Sequence, residues 1–454
     1  MKIKELFVLQ KEFYKTHTTK DIKFRIESLK KLKEGIIKHE DDIYDALKKD
    51  LNKSRYEAYL TEVGIVLSEL SLFIKKLKKW ARPKPKRTPL VLFPAKSKIM
   101  YEPYGVTLIM SPWNYPFQLA IDPLIGAIGA GNTVILKPGS YAKHTADVIN
   151  AIIKDIFDEK HVAVVLGGRE ENQALLEQPF DYIFFTGSKK VGKIVMEHAA
   201  KHLAPVTLEL GGKSPCIVDR NVNIPLTAKR IVFGKFINAG QTCVAPDYVF
   251  VHKDEQEKLI ANIIGEIRDA YGAFPLENPD YPKIIDKRHK DELVEKIDET
   301  KTVYGGKHQG EFIEPTVMKD ITSDHSIMDE EIFGPILPVL AYDDITEAYD
   351  YVNDNPKPLA FYLFTDDKKE ERRAMERCSF GGATINDTVM HFSSTELGFG
   401  GVGESGMGRY HGKRSFLTFS NPRGVLKRGK WPDFSMRYQP YKEKGLGLIK
   451  KLLR

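Results

Sequence analysis

Apolar residues recur at intervals of three and four along the first 80 residues, which is the spacing of amphipathic helices. One such stripe, within 20–50, consists of Ile22, Ile26, Leu29, Leu32 and Ile36. A second stripe consists of Leu60, Val63, Leu67, Leu70, Ile74 and Leu77. The proline-rich basic segment 81–89 then ends helix formation, because proline lacks a donor and clashes with the preceding turn. The alternation in 97–103 predicts an extended strand or half of a hairpin.

From residue 105 the pattern changes to short apolar segments separated by helix-length amphipathic stretches. The apolar segments are 105–110, 132–138, 161–167, 182–187 and 206–210. The stretches between them include 118–130, 142–157 and 189–202. Nearly continuous apolar strands between helices are typical of a parallel sheet that is covered on both faces. With right-handed crossovers, this order of elements predicts a doubly wound α/β domain.

A second alternation of strands and helices follows Cys243. Its apolar segments are 248–252, 337–342, 359–365 and 382–386, with a helix-like stretch at 255–270. A chain of 454 residues is too long for one ordinary core, so two or three packed units are expected. The fold class predicted from this pattern is α/β, with a doubly wound parallel-sheet domain followed by a second α/β domain.

The composition excludes some classes of protein. Hydrophobic residues make up 42% and aromatic residues 10% of the chain, which is enough to bury substantial cores and argues against disorder. No apolar run approaches the length of a membrane-spanning helix, and the N-terminus lacks the features of a signal peptide. The three cysteines, Cys216, Cys243 and Cys378, provide no disulfide framework. We therefore expect a reduced, cytoplasmic compartment.

The net charge of +7 is mildly basic and comes with 62 acidic residues spread along the chain. A nucleic-acid binder usually concentrates its charge in a patch, so no nucleic-acid partner is expected. The densest basic runs, 75–87 and the tail 442–454, indicate solvated surface with a linker. For the tail, a weak amphipathic contact with a membrane or a neighbouring subunit is a second interpretation.

Ligands of a doubly wound sheet bind beyond the carboxyl ends of its strands, so the residues that follow the strands are candidates. The segment 182–185 is followed by a turn of sequence TGSKKVG that begins at Thr186. Its glycines allow backbone N–H groups to approach a phosphate at a helix N-terminus. The spacing is G-x-x-x-x-G, and an ordinary strand-to-helix turn explains it nearly as well. Lys137, also at a strand end, is either surface charge or a ribose or phosphate ligand.

Two further residues have the chemistry of a catalytic site. Glu209 ends a nearly continuous apolar strand, and desolvation there raises the pKa of a carboxyl toward the range of a general base. A structural carboxylate bonded to loop amides is the alternative. Cys243 follows a glycine-containing loop after the helix-like segment 226–237, although buried, inert cysteines are common. For Cys216 and Cys378 the structural interpretation is favoured.

Seven motifs stand in one order along the chain. They are PWNYP (112–116), LKP (136–138), FTGS with VG following (185–192), ELGGKSP (209–215), GQTC (240–243), EEIFGP (330–335) and GFGGVGESGMGRYHGKRSF (398–416). With these motifs the chain resembles an aldehyde dehydrogenase over essentially its whole length. The last motif, the short N-terminus and RYQPY (437–441) look like the class 3 group, which handles fatty and aromatic aldehydes.

The resemblance implies oxidation of aldehydes to carboxylic acids with NAD or NADP, and it assigns three catalytic roles. Cys243, as a thiolate, would attack the aldehyde carbonyl to give a thiohemiacetal. The side-chain amide of Asn114 and the backbone N–H of Cys243 would hold the oxyanion. After hydride transfer, Glu209 would activate the water that hydrolyses the thioester, and would also help deprotonate the thiol. No metal is expected.

The resemblance also implies cofactor contacts. Glu331 would bind the nicotinamide ribose, Phe333 would pack near the ring, and Lys137 would hold the adenosine ribose. The remaining implied cofactor-binding residues are Thr186, Gly187, Ser188, Val191, Gly192 and Leu210. The family often has KPSE, whose glutamate repels a 2′-phosphate, but here Ser140 stands at that position. We therefore expect NADP to be tolerated as well as NAD.

The same resemblance suggests an organisation in parts. The dinucleotide-binding domain would comprise 1–87 and 105–208, and the catalytic domain 209–412. A small β element of 88–104 and 413–430 would serve a homodimer, and 431–454 would form a C-terminal tail. The residues predicted to line the aldehyde tunnel are Tyr115, Phe233, Thr242, His391 and Phe392.

Two alternatives remain open on the sequence. A CoA-acylating aldehyde dehydrogenase would pass the acyl group to CoA instead of water, but such relatives generally lack the base at Glu209. A non-catalytic protein on the same fold is the other alternative. Such a protein is free to lose Cys243, Glu209 and Asn114, and this chain retains all three.

Overall fold

A computed structural model describes residues 2–441 and 443–453, so that Lys442 and Arg454 of the predicted tail lie outside the described residues. The helices are α1 (Ile3–Lys15), α2 (Ile22–Lys38), α3 (Glu40–Leu51), α4 (Arg55–Ala58), α5 (Gly64–Trp80), α6 (Gln118–Ala130), α7 (Lys143–Ile156), α8 (Arg169–Leu176), α9 (Lys189–His202), α10 (Ile224–Phe236), α11 (Gln256–Tyr271), α12 (Lys287–Val294), α13 (Ile345–Asp354), α14 (Lys368–Arg377), α15 (Lys413–Thr418) and α16 (Leu446–Leu453).

Strands alternate with these helices. They are β1 (Lys84–Lys86), β2 (Lys96–Pro103), β3 (Val106–Met110), β4 (Thr133–Lys137), β5 (Val162–Val164), β6 (Tyr182–Thr186), β7 (Val206–Glu209), β8 (Pro215–Val218), β9 (Tyr248–His252), β10 (Thr302–Tyr304), β11 (His308–Gln309), β12 (Phe312–Ile313), β13 (Thr316–Met318), β14 (Ile336–Tyr342), β15 (Ala360–Phe364), β16 (Gly382–Ile385), β17 (Gly406–Met407) and β18 (Ser420–Lys427). The strand and helix segments predicted after residue 105 all lie within two residues of these bounds, except that β5 covers only the first half of 161–167.

The first large sheet has the strand order β17-β7-β6-β3-β4-β5. Strands β3 to β7 are parallel, and β17 pairs antiparallel with β7. The register opposes Met110 to Lys137 and Thr186 to Glu209, so the carboxyl ends of four strands meet at one edge. This sheet confirms the predicted doubly wound α/β class, and its carboxyl edge is where a ligand is expected.

The second large sheet has the order β10-β13-β14-β9-β8-β15-β16 and is parallel except for β10. A third sheet, β1-β2-β18, is antiparallel. In it, β2 confirms the strand predicted at 97–103 and pairs with β18 over eight residues. The division into domains and the oligomerisation role of the third sheet remain predictions.

Helix α6 lies at the centre of the core on the first sheet, since each of its residues is buried. The predicted apolar stripes of α2 and α5 pack against it, with Leu29, Leu32, Phe73 and Leu77 all 0% exposed. A Cβ at Gly129 would lie 2.6 Å from the Phe73 ring, so glycine lets α5 and α6 approach closely. The N-terminal helices α2 and α5 therefore pack against α6, the helix that follows β3.

Two of the predicted helices are not continuous α-helices. The first is divided into α2 and α3 at His39, where the acidic residues Glu40, Asp41 and Asp42 form a new first turn that suits a helix N-terminus. The second begins with a π-helical turn at Tyr59–Val63 before α5. In the part of the chain that the structure describes, no helix is long and apolar enough to cross a membrane.

Candidate active site

A cleft of about 670 Å³ opens at the carboxyl edge of the first sheet, facing the loops of the second. It is lined by nine of the twelve predicted site residues, namely Asn114, Thr186, Gly187, Ser188, Glu209, Leu210, Cys243, Glu331 and Phe333. Lys137, Val191 and Gly192 are not among the lining residues. The predicted catalytic and nicotinamide-ribose residues, which are up to 217 positions apart in sequence, thus share one cavity.

Cys243 is presented by a strained turn after α10. Asn238 and Ala239 both have left-handed backbone, with φ of 55° and 50°, and Gly240 follows with φ of 74°. A Cβ at Gly240 would lie 2.2 Å from the carbonyl oxygen of Gly334, so glycine is required there. The strain directs the chain so that Cys243 is partly exposed in the cleft, whereas Cys216 and Cys378 are buried, as the structural interpretation predicts for those two.

The surroundings of Cys243 favour its thiol over the thiolate. Burial raises the pKa of Cys243, and the charges of Glu331 and Glu209 raise it further. Backbone N–H groups of Cys243 and Val244 act in the opposite direction. A thiol in these surroundings needs a base before it can attack as the predicted thiolate.

Glu209 is the last residue of β7 and is only 3% exposed. Within residues 2–441 and 443–453, neither oxygen of its carboxyl group has a hydrogen-bond partner, which disagrees with a structural carboxylate bonded to loop amides. Burial raises the pKa of Glu209 well above its ordinary value, and Arg409 lowers it by a smaller amount. Once ionised, a carboxylate in these surroundings is a strong proton acceptor with both oxygens available.

Asn114 lies in the loop between β3 and α6 and is 3% exposed. Its side-chain Nδ2 donates to the main-chain oxygen of Gln241 at 3.0 Å, two residues before Cys243. An asparagine amide has two N–H groups, so one remains for an oxygen in the cleft. This arrangement places a neutral donor beside the cysteine, where charge would develop on a carbonyl oxygen.

The N-terminus of α9 borders the other end of the cleft. Ser188 caps this helix, and its Oγ accepts from Val191 N–H at 3.4 Å. Lys189 and Lys190 line the cleft beside it, and the hydroxyl of Thr186 is buried without a partner among the described residues. Lys189 Nζ also donates to Glu404 Oε2 at 3.1 Å. Helix N–H groups, the Lys190 ammonium and the Thr186 hydroxyl form a donor set that fits a pyrophosphate.

Glu331 faces this donor set from the loop before β14. A Cβ at Gly211 would lie 1.9 Å from Glu331 Oε2, so the paired glycines after β7 make room for the carboxylate. Burial, and then the charge of Asp247, raise the pKa of Glu331 to about 8. Lys213 Nζ holds the loop from below, donating to Glu330 O at 2.9 Å and to Asp247 Oδ2 at 2.6 Å.

Phe333 has left-handed backbone, with φ of 54°, and packs edge-on against Trp113 with ring centroids 5.4 Å apart. His289 contacts both rings, and its Nε2 lies 3.0 Å from the carbonyl oxygen of Phe333. Two planar side chains thus close one wall of the cleft, as a flat aromatic ligand requires.

The remaining cofactor candidates lie behind the cleft wall. Lys137 is 3% exposed, and its Nζ donates to Pro138 O at 2.9 Å, so its ammonium faces the chain's own backbone. Val191 contributes a main-chain donor to the cap of α9. A Cβ at Gly192 would lie 2.8 Å from Leu210, so this glycine allows α9 to pack against the end of β7.

Sequence reasoning missed several cleft residues. Lys213 and Trp113 line the cleft and lie in the motifs ELGGKSP and PWNYP. For Lys213, a charged residue directly after two glycines was a signal in the sequence. His289 had no signal in the sequence, because it reaches Phe333 only through tertiary packing.

In the part of the chain that the structure describes, none of the residues predicted to line an aldehyde tunnel lines the cleft beside Cys243, and their place in a tunnel remains a prediction. Phe392 lines a second pocket of about 320 Å³, together with Glu69 and His411. Tyr115 and Thr242 are buried against each other, with their hydroxyl oxygens 2.5 Å apart. Phe233 is 41% exposed, which is more than a tunnel wall would show.

Comparisons with known proteins identify the family of the chain. The model of the Aldehyde dehydrogenase family matches residues 7–425. The chain is 48% identical to 4,4'-diaponeurosporen-aldehyde dehydrogenase of Staphylococcus aureus over 97% of both chains. It is 44% identical to Aldehyde dehydrogenase family 3 member H1 of Arabidopsis thaliana, over 96% of this chain and 91% of that protein. A solved structure, the substrate-bound state of Staphylococcus aureus AldH, superimposes with a TM-score of 0.98 at 47% identity, covering 100% of this chain and 99% of the other.

Proposed function

This chain belongs to the aldehyde dehydrogenase family, and on that premise we propose that Cys243, Glu209 and Asn114 carry its chemistry. The family oxidises aldehydes with a nicotinamide dinucleotide. The observation that supports these roles is the pairing in one cleft of a partly exposed cysteine with a buried carboxyl group whose oxygens have no partners in the described chain. Once ionised, a carboxylate without hydrogen-bond partners can accept a proton without first breaking a bond to the protein.

The first step is proton transfer from Cys243 to Glu209. The acceptor is the ionised form of Glu209, whose basicity is increased by the same burial that raises the pKa of the Cys243 thiol. The thiolate then attacks the aldehyde carbonyl and forms a carbon–sulfur bond. The oxygen of the resulting thiohemiacetal receives hydrogen bonds from Asn114 Nδ2 and from the backbone N–H of Cys243.

A bound nicotinamide supplies the acceptor for the hydride that leaves the thiohemiacetal carbon. The α9 N-terminus with Lys189 and Lys190 would hold the pyrophosphate, and Glu331 would hold a ribose. Trp113 and Phe333 would bound the ring. Lys137 would need to turn from Pro138 O to reach the adenosine ribose.

Glu209 then releases to solvent the proton that it took from Cys243. In the last step the ionised Glu209 removes a proton from water, which attacks the thioester on Cys243 and releases a carboxylic acid. Asn114 again stabilises the oxyanion. The retained base favours water over CoA as the acyl acceptor, so the acid is the expected product.

The variant Glu209→Gln tests this assignment, because it preserves shape and removes the base. With excess aldehyde, we expect one NADH per active site, formed more slowly than in the wild type because Glu209 also takes the proton of Cys243, and then steady-state turnover reduced by about 10²-fold. Rapid-mixing absorbance at 340 nm measures both phases. Steady-state turnover at the wild-type rate would show that Glu209 is not the base.

The substrate class that we propose is medium- or long-chain aliphatic or aromatic aldehydes. Its support is the likeness to family 3 proteins and to 4,4'-diaponeurosporen-aldehyde dehydrogenase. A panel from acetaldehyde to long-chain and aromatic aldehydes tests the proposal through kcat/KM.

For the assembly we propose a cytoplasmic homodimer. The third sheet has free edges at β1 and β18, and Leu426 on β18 is 51% exposed. An exposed apolar edge strand is suited to pairing with a second copy of the chain. Light scattering after size exclusion measures the mass, which should be twice 51.6 kDa.

The domain limits given in the sequence analysis remain our proposal. The first sheet supports a dinucleotide-binding domain that includes β3 to β7. Strand β17 (Gly406–Met407) also belongs to that sheet. The predicted catalytic segment 209–412 therefore contributes one strand to the sheet of the dinucleotide-binding domain.

A further inference from the structure

The N-terminal helical segment reaches the active site through a buried ion pair. Lys53 Nζ lies 2.6 Å from Glu62 Oε1, and both side chains are 0% exposed. Lys53 Nζ also lies 3.4 Å from the main-chain oxygen of Asn114. The ammonium therefore joins the ion pair to the residue that would hold the oxyanion.

The second oxygen of Glu62 holds the start of α6. It accepts from the N–H of Phe117 at 2.8 Å and from the N–H of Gln118 at 3.2 Å. Glu62 lies in the π-helical turn Tyr59–Val63, an irregularity that is frequent at functional sites. Lys53 and Glu62 thus hold the loop that carries Asn114 in its middle and at its C-terminal end.

Asn238 ties this loop to the turn before Cys243. Its Nδ2 donates to Asn114 O at 2.8 Å and to Gln241 O at 3.1 Å. The same Gln241 oxygen accepts from Asn114 Nδ2. The backbone N–H of Asn238 donates to Glu57 Oε1 at 2.9 Å. One side chain therefore bridges the two loops that must cooperate in catalysis.

This arrangement is costly if stability is its only purpose. A buried ion pair gains little net free energy, because desolvation of both charges offsets their attraction. Successive left-handed residues at Asn238 and Ala239 add backbone strain, and such strain persists where the surroundings over-determine the conformation. The cost is understandable if the network fixes a geometry that the reaction needs.

We propose that Lys53, Glu62 and Asn238 are positioning residues that hold the Asn114 amide in register with the sulfur of Cys243. The proposal rests on the function given above, in which Asn114 binds the oxyanion. One N–H of the Asn114 side-chain amide donates to Gln241 O. The direction of the other N–H therefore depends on where Lys53, Glu62 and Asn238 hold the loop. A displacement of about 1 Å can cost about 10²-fold in rate.

The variant Asn238→Gly is the most direct test. Glycine accepts the φ of 55°, so the backbone is retained while both bridging hydrogen bonds are lost. We expect kcat/KM for the aldehyde and the rate constant of the NADH burst to fall by about 10- to 100-fold. Cofactor affinity, measured by fluorescence titration, should change less than about twofold.

A double variant, Lys53→Met with Glu62→Gln, tests the ion pair without leaving an isolated buried charge. Glutamine retains an acceptor for Phe117 N–H, and methionine fills the volume of the lysine stem. We expect the same loss in burst rate in a protein that unfolds within a few degrees of the wild type. If this variant does not fold, Asn238→Gly still decides the proposal.

Asp50→Asn is the matched control. Asp50 is a buried carboxylate that holds the start of α7, accepting from Thr145 N–H at 2.8 Å, and it is not among the residues that line the cleft. We expect a lower melting temperature and an unchanged burst rate for this variant. A burst-rate loss equal to that of Asn238→Gly would make a purely structural role sufficient, and would overturn the proposal.

Asn114→Ala separates failure of this proposal from failure of the proposed function. Slow turnover in Asn114→Ala and in Asn238→Gly supports both. If Asn114→Ala is slow but Asn238→Gly reacts at the wild-type rate, the positioning role is wrong and the oxyanion role stands. Wild-type rates in Asn114→Ala would remove the oxyanion role itself, and the positioning role with it.

Discussion

The two ends of the cleft are built in different ways. At the catalytic end, Glu209 and Asn114 are almost fully buried, and burial dominates the pKa of both Glu209 and Cys243. At the cofactor end, Lys189 and Lys190 are surface residues beside a helix N-terminus. The catalytic end therefore depends on single atoms in a fixed geometry, whereas the cofactor end depends on several charges and backbone donors that share the binding.

This difference has a physical cause. An unpaired group in a low-dielectric site has a large effect on its neighbours, so removing one atom changes the reaction by orders of magnitude. Charges near solvent are screened, and each contributes a modest share. We therefore expect large, all-or-none effects at one end of the cleft and graded effects at the other.

The largest effect is expected for Cys243→Ala. Removing the nucleophile should reduce turnover by at least about 10³-fold, since no other group in the cleft can form the thioester. Cofactor affinity by fluorescence titration should stay near the wild-type value, because the α9 end of the cleft is unchanged. Weakened cofactor binding in a folded variant would show that the two ends are not independent.

A smaller effect is expected for Ser140→Glu. The exposed Ser140 follows β4, where the family often has a glutamate that repels a 2′-phosphate. Restoring that carboxylate should raise the NAD to NADP ratio of kcat/KM by about tenfold or more. Steady-state kinetics with both cofactors measure the ratio. In the unsubstituted chain, an NAD preference above about 10³-fold would contradict the tolerance of NADP.

At the cofactor end, Lys213→Met should weaken cofactor binding moderately. The variant removes the ammonium that holds the Glu331 loop through Glu330 O and Asp247, so Asp247 loses its ion pair. We expect the KM for the cofactor to rise about tenfold, with a smaller change in the burst rate constant. Lys38→Met, which breaks an exposed pair with Asp155, is the control and should leave both unchanged. If kcat alone falls, the two ends are coupled through this loop.

The smallest effect is a dependence of cofactor affinity on pH. The pKa of Glu331 is about 8, so the carboxyl is largely protonated at pH 7 and ionised at pH 9. Only the ionised form accepts hydrogen bonds from both hydroxyls of a ribose, so affinity should rise as the pH increases through about 8, by roughly threefold. Titrations from pH 6.5 to 9 measure it. In Glu331→Gln the dependence should be lost, and an unchanged slope there would assign it to another group.

Much of the fold follows from local pattern. The apolar runs that became β3, β4, β6 and β7 are long enough to be buried on both faces, and the helices between them keep a regular stripe. Gly240 and Gly211, by contrast, are required by distant residues, because a Cβ there would collide with Gly334 O and with Glu331. The π-helical turn at Tyr59–Val63 likewise lies where Glu62 makes long-range contacts with Phe117 and Gln118.

The sequence by itself determined the alternation of strands and helices, the seven motifs and the residue types able to perform aldehyde oxidation. These depend on short-range periodicity and on side-chain chemistry. Tertiary structure alone decided that the oxygens of Glu209 have no partner among the described residues, that Lys137 turns to Pro138 O, and that Lys53 and Glu62 reach the Asn114 loop. Partners and desolvation depend on which distant elements meet, and a one-dimensional pattern does not encode that geometry.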